Sequence, residues 1–104
     1  MTKKKFKNFR KTVKIMKTYC KTKYPLCVKR CIVPKDREGD CDLCKRKFII
    51  RIDKKLPEYF ALDVLIHEVA HALSWNKDKD EHGLNWGKSY SKVYRIFLKH
   101  YINS

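Results

Sequence analysis

The pentapeptide His67-Glu68-Val69-Ala70-His71 lies inside the run Leu56–Ser74, and the way that run folds decides how the chain is read. Pro57 near its start and Glu58 and Asp63 in its first half are helix-start signals. At 100° per residue, Leu62, Leu65, Ile66, Val69 and Leu73 share one apolar stripe, the expected core face. His67 and His71 then fall together on the opposite side, with Val64 between them and Glu68 just beyond. Two histidines four apart on a helix point the same way and can grip one metal ion. A glutamate beside that ion can take a proton from water there, the arrangement of zinc hydrolases. The alternative is a pair of solvated histidines on an exposed helix face. Against it, three of the chain's four histidines belong to one constellation.

His82, eleven residues after His71, is the expected third ligand, which leaves a fourth position open as in catalytic zinc sites. Gly83 follows it, allowing an unusual backbone angle or a close approach. A helical pattern begins at once, which would hold His82 on a fixed element. The long metzincin pattern would need Gly at 74 and His at 77, where the chain has Ser74 and Lys77. Asp78, Asp80 and Glu81 are carboxylate alternatives in a polar stretch that otherwise reads as a turn between helices.

The string His67-Glu68-x-x-His71-Ala72-Leu73, a short polar loop, then His82-Gly83-x-x-Trp86-Gly87 resembles the SprT-like zinc metallopeptidases, in their compact phage, viral and bacterial forms. The likeness runs from about Phe48 through Phe97 and includes Phe48-Ile49-Ile50-Arg51-Ile52-Asp53. The resemblance implies zinc held by His67, His71 and His82, with Glu68 as the general base. It also implies a small zincin-like α+β fold, with substrate bound along a sheet edge above the metal. Substrate identity and regulation do not carry over.

A chain of 104 residues is expected to form one domain, 1–104. No stretch approaches the length of a membrane span, and Met1-Thr2-Lys3-Lys4-Lys5 leads into no apolar signal region. The expectation is an intracellular protein, cytoplasmic or nucleoid/nuclear, with no membrane partner. Five cysteines there are thiols or metal ligands rather than disulfides. The net charge of +15 reads either as attraction to a polyanion, above all nucleic acid, or as a lysine-rich composition. The resemblance adds that some relatives act on DNA-bound proteins.

Three segments are expected. Residues 1–24 form a basic amphipathic helical segment, with Phe6, Phe9, Val13, Met16 and Cys20 on its apolar stripe. Residues 27–53 form a cysteine-containing β-hairpin: a strand from Cys27 to Val33, a polar turn from Pro34 to Asp42 around Gly39, and a strand from Lys45 to Ile52. Residues 56–103 hold the metal-site helices, the last running from Leu84 to about Ile102 with Trp86, Tyr90, Val93, Phe97 and Tyr101 on one stripe.

Cys27, Cys31, Cys41 and Cys44 could hold a second, structural zinc on the hairpin. They could equally be buried thiols, and Cys41-x-x-Cys44 could be a redox pair, though its helical context is missing. The leading function is a zinc-dependent hydrolase of protein or peptide substrates, with Tyr90 or Tyr94 as candidate oxyanion stabilisers, if not simply core or rim aromatics. Two alternatives stand beside it. A deformylase-like amidase would use a cysteine ligand, with Glu38-Gly39-Asp40-Cys41 as the faint likeness. A basic, zinc-stabilised nucleic-acid-binding module would not need Glu68.

Overall fold

The computed structural model describes residues 7–77 and 79–102. Its elements are α1 (Lys7–Tyr19), β1 (Leu26–Cys31), β2 (Gly39–Cys44), β3 (Lys47–Asp53), α2 (Glu58–Leu73) and α3 (Leu84–Ile102). The class is α+β, three helices on one face of a three-stranded mixed sheet. The strand order is β1-β3-β2. Phe6 and Asp78 of the sequence reading lie outside the described residues.

β3 takes the centre because its residues alternate cleanly. Phe48, Ile50 and Ile52 are fully buried, while the residues between them face the other way. Registered beside them on the helix-facing side are Leu26, Val28 and Arg30 of β1 and Gly39, Cys41 and Leu43 of β2. Leu65, Ile66 and Val69 of α2, Phe9 and Met16 of α1 and Val93 of α3 close the core from above. Arg30 reaches into this layer. Its guanidinium lies over the Phe9 ring at 5.1 Å and donates to the carbonyls of Lys54 and Leu56 at 3.2 and 2.9 Å. No described helix is long and apolar enough to cross a membrane.

The helices follow the sequence pattern, but the sheet corrects it. Residues 27–33 and 45–52 were expected to pair as a hairpin; β1 instead runs parallel to β3. The antiparallel partner of β3 is β2, whose first four residues, Gly39 to Asp42, read in the sequence as the end of a turn. Two signals misled. The β2–β3 turn is Lys45-Arg46, with φ of 49° and 64°. Positive φ at both central residues suits a tight hairpin, but the usual Asn-Gly marker is absent. Gly39, conversely, looks like a turn residue and lies in a strand. A Cβ there would meet the Arg51 carbonyl oxygen and Val64 Cγ1, both at 2.7 Å, so glycine lets β2 close onto β3 and α2 together.

Candidate metal centre

Helix α2 carries His67 and His71 four residues apart, and the start of α3 brings His82 back to them. The loop between is turned by Asn76, whose φ is 59°. It is pinned by the Lys77 amide on the Ser74 carbonyl at 3.0 Å and by the Asn85 side chain on the Lys77 carbonyl at 3.3 Å. Gly83 caps α3, its carbonyl accepting the Gly87 amide at 3.0 Å. No described glycine has positive φ, so the angle expected of Gly83 is not what places His82.

The three Nε2 atoms form a nearly equilateral triangle: 3.2 Å from His67 to His71, 3.2 Å from His71 to His82 and 3.1 Å from His82 to His67. A tetrahedral zinc with nitrogen ligands at ~2.05 Å would hold them about 3.3 Å apart. Three imidazoles aimed at one point set lone pairs or N–H groups against each other unless a cation lies between. The donor set therefore fits a metal ion. Among the described residues these three form the one group of histidine, cysteine or carboxylate side chains so arranged. Burial, then the charge of His82, holds the His67 pKa below its ordinary value. Burial, then His67 and His82, pushes His71 down to about 4. Both are neutral near neutrality, the form that binds metals.

Trp86 supports the triangle. Its ring centroid lies 4.9, 5.5 and 4.7 Å from those of His67, His71 and His82, and its Nε1 donates to the His67 carbonyl at 3.4 Å. The sequence places Trp86 on the stripe of the last helix and in His82-Gly83-x-x-Trp86, but assigns it no role at the site.

Glu68 was expected on a face away from the core, but it is buried, only 6% exposed. The start of β2 covers it: Arg37, Gly39, Asp40 and Cys41 line a cleft of about 420 Å³ with His67, Glu68, His71, Trp75 and Glu81. Burial, then the charges of Asp40 and Glu81, pushes the Glu68 carboxyl up to about 7. A carboxyl in that range can both take and give a proton near neutrality.

Tyr90 stands beside the site. Its hydroxyl donates to Asp63 Oδ1 at 3.4 Å, and it lines a second recess with His67, Glu68 and Gly39. Burial, then Asp63, raises its pKa. Tyr94, one turn on and exposed, stacks on Tyr90 at 6.2 Å between centroids and lines neither recess. Asp80 and Glu81 are exposed and outside the histidine group.

The four cysteines do not converge, which speaks against the structural zinc and for the alternative of separate thiols. Cys27 and Cys31, four apart on β1, are separated by ~13 Å of extended chain. Cys41 and Cys44, three apart on β2, face opposite sides of the sheet, and β3 lies between the pairs. Tetrahedral zinc would need the sulfurs within about 4 Å of each other. All five cysteines are free thiols. Cys41 forms part of the cleft wall, its thiol pushed up to about 12 by burial and then by Glu68.

Comparison with family models, with curated proteins and with solved structures finds no match for the chain.

Proposed function

We propose that the protein is a zinc-dependent hydrolase of peptide bonds, with His67, His71 and His82 as ligands and Glu68 as general base. The observation that carries this reading is the Nε2 triangle with a buried carboxyl from the same helix beside it. A binding site alone needs the histidines but gives no reason to bury Glu68. The likeness to SprT-like peptidases supports the same assignment.

A zinc ion held there would polarise a carbonyl oxygen and make water nucleophilic at neutral pH. Glu68 takes a proton from the attacking water as its oxygen bonds to the scissile carbon. It returns that proton to the leaving nitrogen as the C–N bond breaks. Wall residues Gly39, Asp40 and Cys41 shield Glu68 from bulk water. Tyr90 is the better placed of the two tyrosines to donate to a developing oxyanion, since it lies in the recess with His67 and Glu68. The amidase alternative is disfavoured because Cys41 sits in the wall and outside the ligand group.

Glu68→Gln tests the reading, since it keeps the shape and removes the base. Zinc content and folding should be unchanged, while hydrolysis of a casein or peptide-library substrate should fall by about 10²–10⁴. Phenanthroline should abolish the parent activity and added zinc restore it. A Glu68→Gln protein as active as the parent would overturn the role of Glu68.

A further inference from the structure

All eleven acidic residues lie between Asp36 and Glu81. Segments 1–35 and 82–104 contain none, yet hold seventeen of the 26 lysines and arginines. A lysine-rich composition would raise lysine along the whole chain; it would not clear carboxylates from both ends. The two ends meet in space, because α1 and α3 pack against each other, with Tyr19 stacked on His100 at 3.5 Å and Lys11 over the Tyr101 ring.

The charges are also ordered. Arg10, Lys14, Lys17 and, just past the end of α1, Lys21 recur at i, i+4, i+7 and i+11, all exposed. Lys88, Lys92, Arg95 and Lys99 repeat that spacing on α3, again all exposed. Each stripe extends over about 16 Å. Like charges at i, i+4 cost a helix a few tenths of a kcal/mol per pair. Neither stripe has a carboxylate of its own helix to offset that cost. At the end of α1, Lys17, Lys21 and Lys23 line a cleft of about 540 Å³ with Tyr24 and Pro25.

We propose that the exposed lysine and arginine stripes of α1 and α3, with the lysine cleft between α1 and β1, bind the phosphate backbone of nucleic acid. Charge complementarity identifies the occupant: a linear array of cations suits a linear polyanion, and contacts to phosphates carry no sequence information, so binding should depend little on sequence. An anionic bilayer is the lesser match, since α1 keeps Phe9, Met16 and Cys20 inside the core rather than offering them to lipid. The surface is separate from the histidines and does not depend on the hydrolase reading.

The test uses the full chain with a fluorescein-labelled random-sequence DNA duplex, its single strand, and phosphatidylserine-containing vesicles. The parent should bind DNA at low salt with log affinity falling linearly in log salt. Lys14→Glu with Lys17→Glu, or Lys88→Glu with Lys92→Glu, should weaken binding at least ~10-fold and make the salt slope shallower by about 2. Lys29→Glu with Lys35→Glu, the same charge change outside the two helices, should have a much smaller effect, and Glu68→Gln none. Lys14→Ala with Lys17→Ala gives an intermediate loss and guards against a reversal that unfolds α1. Equal losses in the patch and control variants, no binding at low salt, or patch variants that lose only vesicle binding would each overturn the proposal.

Discussion

The histidine triad and the cysteine quartet offer the same kind of sequence signal, polar ligands at short regular spacing, and fold to opposite ends. His67 and His71 are four apart, as are Cys27 and Cys31. On α2 that spacing is one turn and brings two rings to 4.8 Å between centroids. On β1 it is ~13 Å of extended chain. Ligand spacing therefore means metal only when it matches the period of the element that carries it. The third ligand obeys a different rule: His82 arrives through a pinned loop, whereas nothing folds β1 and β2 onto each other across β3.

The largest effect expected from this contrast is on metal content. His71→Ala should lower zinc affinity by more than the ~10–100-fold typical of losing a mere supporting partner. Replacing Cys27, Cys31, Cys41 and Cys44 together by serine should leave one zinc per chain by elemental analysis. X-ray absorption showing sulfur neighbours near ~2.3 Å in the parent would break the comparison.

A second effect tests where the two regions touch. Gly39→Ala drives a Cβ into the Arg51 carbonyl and the Val64 side chain of α2. Neither can yield without moving a strand or a helix, so urea unfolding should show a loss of about 1–3 kcal/mol. An unchanged midpoint would mean that β2 does not press on α2 as described.

The smallest effect lies on the outer face of the sheet. Arg51 donates from Nε to Asp40 Oδ1 at 2.8 Å and from Nη2 to Oδ2. That hydrogen bonding holds the Asp40 carboxyl below its ordinary range. Its folded value thus lies below its unfolded value, so the pair stabilises the fold above the unfolded pKa of ~3.9. That stability is lost as pH falls through the folded value. Asp40→Asn should cost less than Gly39→Ala at pH 7, and thermal melts of the variant and parent should converge on acidification below pH ~4. A difference that persists in acid would assign Asp40 a role other than its ion pair.

What could be read in advance follows the physics of each element. α2 and α3 were legible because a 3.6-residue period is written in contiguous apolar residues, and α3 spans Leu84–Ile102 as expected. β2 was not legible, because Asp40 and Asp42 alternate with a glycine, a leucine and cysteines rather than with a clear apolar series. The Lys45-Arg46 turn also lacks the residues that normally mark its geometry. The burial of Glu68 is hidden for the same reason: the segment that covers it reads as a polar turn.

The sequence by itself determined the helices, the one-sided presentation of His67 and His71, and the confinement of acidic residues to the middle of the chain. Those properties depend on neighbours a few positions apart or on composition. Tertiary structure alone decided that β1 lies parallel to β3, that the cysteines stay apart, and that Glu68 is enclosed by β2. It alone brought His82 to within 3.1–3.2 Å of both partners. Each of these depends on which distant segments share a surface, and that is set by how the whole apolar face of β3 is covered rather than by any local spacing.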